Sequence, residues 1–188
     1  MFIFIQEPWL SSYEAKTRCS IDFSSYDFLT TSCDTFLPPE DILLKSGPTC
    51  NGTAIGWHSS FSSSINQLPT ISTRFCDVKF NNNNLEIIAY TVYLPTAGQD
   101  DDFTEEISFL TNDLLLHSSS SSIFIIGIDA NCSEKSSLRR QEVFASFTEK
   151  FSLKTLLPGK EPTFHHNNGL SETQTDHINV EIDYSKTY

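Results

Sequence analysis

An aspartate and an asparagine two residues apart, Asp129 and Asn131, close the apolar run Ile123-Phe124-Ile125-Ile126-Gly127-Ile128. A carboxylate and a carboxamide at that spacing suit a metal or phosphate site. They equally suit an Asx-type turn, in which the aspartate caps backbone two residues on. Residue type alone leaves both readings open. A second acid, Glu7, follows the apolar stretch Phe2-Ile3-Phe4-Ile5-Gln6, and a strand-terminal glutamate is ordinarily just solvated. Two acids at the ends of strands that share a sheet edge would form a hard-oxygen site suited to magnesium. Tyr93 ends a third apolar run, either as a rim residue with a wet hydroxyl or as a donor to a phosphate oxygen. Asp176 stands in Thr175-Asp176-His177-Ile178 and is of the type that orients a histidine for general-base work. Its neighbour His177 should point to the opposite face of a strand, so the histidine must come from elsewhere.

Other chemistries fit less well. Asp129, Asn131 and Ser133 imitate the first ligands of a calcium loop, but Glu134 stands where glycine is needed and Arg140 where glutamate is needed. His165, His166, His177 and Cys132 match no zinc spacing. Nucleophile-elbow, P-loop and dinucleotide fingerprints do not occur. Asp100, Asp101 and Asp102 read as a solvated approach to a helix N-terminus.

The elements that would carry these residues follow from periodicity. The run ending at Asp129 is β-branched and uninterrupted, which predicts a strand covered on both faces, with Gly127 allowing a turn or a close approach. Strands are expected over 2–6, 26–32, 53–57, 71–80, 85–94, 153–157 and 175–182, the fourth and fifth forming a hairpin about Asn81-Asn82-Asn83-Asn84. A short helix is expected over 11–18, and loops over 35–51 and 161–173. A longer helix follows Pro95-Thr96-Ala97-Gly98, with Asp102 and Glu105 as a capping box and Phe103, Ile107, Leu110 and Leu114 as its apolar stripe. Serines 118–122 read as a loose linker, and 137–151 as a helix with Phe144, Phe147 and Phe151 on one face. Hairpins mixed with helices that return to strands predict a layered α/β domain.

With 188 residues the chain has room for one domain with a substantial core. Its 12 basic and 24 acidic residues leave a net charge of −12, which argues against a broad surface for coating nucleic acid. A metal-bridged phosphate site stays open, because a bound divalent ion inverts the local field. Five cysteines without a CxxC pair predict free thiols in a reducing compartment. Residues 1–5 are too short for a signal-peptide core and no transmembrane run occurs, so the expected compartment is cytosolic or nuclear.

Taken in order, Ile5-Gln6-Glu7, Gly52-Thr53-Ala54-Ile55-Gly56-Trp57, Tyr93-Leu94-Pro95, Gly127-Ile128-Asp129-Ala130-Asn131, Pro162-Thr163-Phe164 and Thr175-Asp176-His177-Ile178 resemble motifs of the endonuclease/exonuclease/phosphatase superfamily. The resemblance is nearest to the apurinic/apyrimidinic-type endonuclease domain of non-LTR retrotransposons. It implies a deoxyribonuclease-I-like four-layer α-β-β-α sandwich. It further implies that Glu7 holds Mg2+ or Mn2+, Tyr93 contacts the scissile phosphate, Asp129 positions or deprotonates water, Asn131 hydrogen-bonds a phosphate oxygen, and Asp176 orients a catalytic histidine. DNA would be the ancestral substrate, with no membrane and no obligate protein partner.

Members of that superfamily carry a strand before the Gln-Glu motif and a closing Ser-Asp-His-like motif, neither of which is found here. Ile128 also separates Gly127 from Asp129, where many members place the two together. The expectation is therefore a single domain over 1–188, an incomplete sandwich that is weak or inactive, since a missing general base alone removes about 10²–10⁴ in rate. A phosphatase or phosphodiesterase for a smaller substrate, and a non-catalytic remnant or binding module, are the alternatives.

Overall fold

Side chains alternate in facing along a strand, and in this chain the alternation sorts two cores onto opposite faces of one sheet. The computed structural model describes residues 2–6, 17, 23–31, 52–69, 72–82, 85–96, 98–133, 135–155, 164–165, 172–173 and 176–181. The strands are β1 (Phe2–Gln6), β2 (Tyr26–Thr31), β3 (Thr53–His58), β4 (Ile65–Gln67), β5 (Phe75–Asn82), β6 (Leu85–Tyr93), β7 (Ser122–Asp129), β8 (Leu153–Thr155), β9 (Phe164–His165), β10 (Glu172–Thr173) and β11 (Asp176–Glu181). Helix α1 spans Asp100–His117 and α2 spans Leu138–Lys150.

Six strands form the larger sheet in the order β4-β5-β6-β7-β11-β8, and three form a smaller one in the order β1-β3-β2. Strands β6 and β7 run parallel, joined through α1, while the other pairings of the larger sheet are antiparallel. A parallel step needs such a crossover, and α1 supplies it. Phe75, Ile88, Tyr90, Val92, Phe124, Ile126 and Ile128 turn to the helices, meeting Phe103, Ile107, Leu110 and Leu114 of α1 and Phe147 of α2. Cys76, Val78 and Ala89 turn the other way, onto Ile55 and Trp57 of the smaller sheet, with Phe2, Phe4 and Leu29 beside them. The described elements therefore stack as helices, larger sheet and smaller sheet.

Several expectations hold closely, including the hairpin of β5 and β6, the apolar stripe of α1, and β7 as a strand covered on both faces. Others are corrected. Helix α1 begins at Asp100 with Gln99 as an N-cap that makes no side-chain capping bond, so Asp102 lies in its first turn rather than at a capping box. Serines 118–122 are not a loose linker: Ser122 belongs to β7, is buried, and donates with Ser119 to Glu86. Those bonds, with Lys79 at 2.9 Å, hold the Glu86 carboxyl below its usual range. The segment read as a polar loop contains the short antiparallel ribbon of β9 and β10. Strand β4 and the 3-10 turn Ser59–Ser64 before it went unread. The helix expected over 11–18, apart from Thr17, and the loop over 35–51 fall outside the described residues.

Candidate functional site

Four strand ends converge on one edge of the sandwich. Tyr93 closes β6 and Asp129 closes β7, and the parallel register sets them directly opposite one another. The antiparallel register of β11 sets Asp176 opposite Asp129 from the other side. Tyr93, Asp129 and Asp176 thus occupy one row across three adjacent strands, spanning roughly 10 Å at the usual strand spacing. In the two-residue alternation, Tyr93 shares its face with Thr91 and Asp129 shares its face with Gly127, and that face looks toward the smaller sheet.

Strand β1 ends over the same place. The Thr91 hydroxyl donates to the Ile5 carbonyl oxygen at 3.4 Å, and Gln6 Nε2 donates to Thr91 Oγ1 at 3.3 Å. Gln6 is thereby anchored two residues before Tyr93 in the neighbouring sheet. Glu7 is the next residue of the chain and itself falls outside the described residues.

The turn that follows β7 is built by the candidate residues themselves. Asn131 has a left-handed backbone with φ of 45°, a conformation asparagine tolerates better than most residues. Its N–H donates to Asp129 Oδ1 at 3.1 Å, which is the Asx turn that the spacing allowed. Its side-chain Nδ2 donates to the Leu94 carbonyl at 2.8 Å, and Leu94 N–H donates to the Asp129 carbonyl at 3.0 Å. The segments after β6 and β7 are therefore laced together. Turn and site are not exclusive here, because the turn fixes where the Asp129 carboxylate stands. A carboxamide also keeps a second N–H when one is engaged.

Arg140, on the first turn of α2, holds this edge from behind; in the sequence it stood out only as a residue that breaks the calcium-loop pattern. It is only 1% exposed, and its guanidinium makes four hydrogen bonds to the edge. Nη1 donates to the carbonyls of Pro95 (2.7 Å) and Asn131 (2.9 Å), Nη2 to that of Thr96 (2.8 Å), and Nε to Asp100 Oδ1 (3.1 Å). The guanidinium also lies 4.3 Å over the Phe103 ring. Asp100 is consequently an ion-pair partner rather than a merely solvated acid, and its carboxyl is held low, first by the Ser137 hydroxyl and then by Arg140. Arg74, whose guanidinium lies 5.6 Å from the Tyr93 ring, brings a positive charge to the same edge.

Tyr93 is only 3% exposed, more deeply placed than a rim residue with a wet hydroxyl would be. The side chains described here, of Asp129, Asn131 and Tyr93, offer oxygen or amide groups without sulfur, the chemistry that suits a hard divalent ion. Acids placed opposite one another on adjacent strands also destabilise a sheet unless something neutralises them. The zinc alternative through His165, His166 and His177 involves side chains outside the described set. A cavity of about 240 Å³ lined by Phe2, Trp57, Phe61, Ile65, Phe80 and Ile87 lies at the other end of the sandwich and offers no polar group for catalysis. A separate acidic cluster, Asp77, Asp113 and His117, sits on the helix side of the larger sheet. Burial, and then the Asp113 carboxylate, push the Asp77 carboxyl up to about 8.

No family model matches the chain, and no curated protein matches it in sequence. The chain is similar to the endonuclease domain of TRAS1, a telomere-specific non-LTR retrotransposon, with a TM-score of 0.56 and 13% identity over 93% of this chain and 80% of that one. It is similar to an AP endonuclease from Archaeoglobus fulgidus, with a TM-score of 0.63 and 13% identity over 96% of this chain and 76% of that one. A mannosyl-6-phosphatase from Bacteroides thetaiotaomicron matches with a TM-score of 0.62 and 12% identity over 96% of this chain and 70% of that one. Identities this low speak to architecture rather than to substrate. The two sheets and their helices give this chain the deoxyribonuclease-I-like α/β fold of the endonuclease/exonuclease/phosphatase structures.

Proposed function

We propose that this chain is a divalent-metal-dependent phosphodiesterase acting on DNA, of the kind found in retrotransposon endonuclease domains. The observation that carries the reading is the single row of Tyr93, Asp129 and Asp176 across β6, β7 and β11. The end of β1 lies over the same edge through Gln6 and Thr91. In this reading Glu7 holds Mg2+ or Mn2+ together with oxygen donors of that edge. The ion, when bound, stabilises negative charge on the phosphate oxygens. Asp129 orients the attacking water and takes its proton. Its carboxylate is positioned for this by the Asn131 N–H. Asn131 donates an amide N–H to a phosphate oxygen, and Tyr93 contacts the same phosphate. In this reading Asp176 is the acid that would orient a catalytic histidine; no histidine of this chain is assigned to that role, so the expected activity is weak.

The test is nicking of supercoiled and abasic plasmid by the purified chain with Mg2+ or Mn2+, beside Glu7→Ala and Asp129→Ala. Metal-dependent nicking that falls about 10²–10⁴-fold in the Asp129 variant supports the reading. Nicking that survives both substitutions counts against it. A chain that melts cooperatively but hydrolyses no phosphate ester leaves the binding-module alternative. The net charge of −12 favours a second reading, a phosphatase or phosphodiesterase for a small phosphate ester, because a polyanion is repelled more than a monoester. A substrate panel of oligonucleotides, inositol phosphates and sugar phosphates separates the two.

A further inference from the structure

Asp77 is the least explained residue of the molecule. It lies in the middle of β5, directly opposite Tyr90 of β6, and its side chain points into the layer between the sheet and α1. It is 0% exposed, and neither carboxylate oxygen has a hydrogen-bond partner among the described residues. Buried polar atoms are nearly always bonded, and an acid with both oxygens orphaned calls for a specific explanation. Two further ligand-type groups face it from α1. Asp113 and His117 are four residues apart and so lie on one helical face, with His117 Nε2 3.9 Å from Asp113 Oδ2. One ligand atom from each of Asp77, Asp113 and His117 lies within 4.8 Å of the others.

We propose that Asp77, Asp113 and His117 form a structural binding site for a divalent transition-metal ion of the zinc class, distinct from the phosphodiesterase edge. The two sites face opposite sides of the larger sheet, since Asp77 and Tyr90 look toward the helices whereas Tyr93 and Asp129 look toward the smaller sheet. One imidazole with two carboxylates is a mixed nitrogen and oxygen set, which suits zinc, cobalt or manganese better than magnesium. Ligands at about 2.0–2.1 Å from a tetrahedral ion stand roughly 3.3 Å apart. Ligand atoms within 4.8 Å of one another would close to that spacing by side-chain rotation when an ion binds. The charges balance, because two carboxylates neutralise the ion and the ion offsets the cost of burying them. The Tyr90 hydroxyl donates to Asp113 Oδ2 at 2.7 Å and holds that carboxylate in orientation, as groups around metal ligands commonly do. The His117 side chain is 16% exposed against 3% for Asp113, so it provides the route by which an ion enters. A bound ion would tie the middle of β5 to the last turns of α1.

The test uses the full chain carrying Glu7→Gln and Asp129→Asn, so that binding at the phosphodiesterase edge does not contribute. After chelator treatment it is titrated with Zn2+ by calorimetry and with Co2+ by visible absorption. One equivalent should bind, with a rise in Tm and a ligand-field band from cobalt. Asp77→Asn and His117→Gln should each weaken affinity at least tenfold and remove the cobalt band, while circular dichroism shows both variants folded. The first is nearly isosteric and the second changes a partly exposed side chain, so neither endangers the fold. No saturable binding by the folded chain overturns the proposal, as a carboxyl pair that only shares a proton would give. Binding that is unchanged in both variants overturns it as well.

Discussion

Arg140 shows how one side chain can organise an edge that it does not join chemically. Its guanidinium carries donors in a fixed planar fork, and here that fork reaches three backbone carbonyls and one carboxylate. Those carbonyls belong to Pro95, Thr96 and Asn131, the residues that follow Tyr93 and Asp129. Replacing Arg140 with methionine would keep much of the bulk and leave the carbonyls without donors. Asp100 is partly exposed and regains water, so the loss falls mainly on the carbonyls. The expected destabilisation is about 2–4 kcal/mol, measured as the change in urea midpoint at constant m-value. Arg140→Lys should recover only part of it, because an ammonium is a point charge and cannot span the three carbonyls. Full recovery by lysine would show that charge alone matters at this position. Nothing in the residue pattern announced this role. The partners of Arg140 are main-chain oxygens, which every residue carries, so spacing could not point to them.

At the scale of elements, the placement of β1 depends on a missing side chain. Gly127 of β7 lies beneath Phe4, and a Cβ there would stand 2.3 Å from Phe4 Cγ and 2.5 Å from Phe4 Cβ. The close approach, not a turn, is the use made of this glycine. Gly127→Ala should push β1 away from the larger sheet at a cost of about 1–3 kcal/mol. It should also move Gln6 off Thr91, and with it the start of the segment bearing Glu7. Truncating the facing ring as Phe4→Ala removes Cγ and with it the nearest clash, leaving only the contact with Cβ, so the double variant should be more stable than the sum of the single losses by about 1 kcal/mol. Additive losses in a urea-unfolding cycle would show that the two side chains are not coupled. The long strands and both helices were legible because eight or more residues display a period clearly, as β6 and α1 do. Strand β4 and the ribbon of β9 and β10 have three residues or fewer and too few apolar ones to mark a strand, whereas β8, also of three residues, was legible from the apolar residues of 153–157. The motif residues were legible as strand ends, and their common row was not, because register depends on pairing partners far apart in sequence. Asp77 passed unread for a related reason: one polar residue in an alternating strand looks like an outward position until a helix covers it.

The whole molecule is acidic, and this bears on how a polyanionic substrate could be handled. Nucleases that grip DNA through many lysines and arginines lose affinity steeply with salt, with a log–log slope of about −0.9 for each phosphate neutralised. This chain has 12 basic residues against 24 acidic ones. At the candidate edge, the described cation beside Tyr93 is Arg74, while Arg140 is buried and already bonded to the chain. On the proposed function, a substrate would have to be held by the divalent ion and a few local donors, with the distant field opposing a long polyanion. That field is screened beyond about 10 Å at 0.1 M salt. Raising sodium chloride from 50 to 200 mM at saturating Mg2+ should therefore change kcat/KM for an oligonucleotide with a slope shallower than about −1. A positive slope is also consistent, since salt relieves the repulsion, and a small phosphate diester should give a slope near zero. A loss of about 10³-fold over that range would require a basic footprint of several phosphate contacts. It would also remove the electrostatic argument for a small substrate, because the opposing charge would no longer govern recognition.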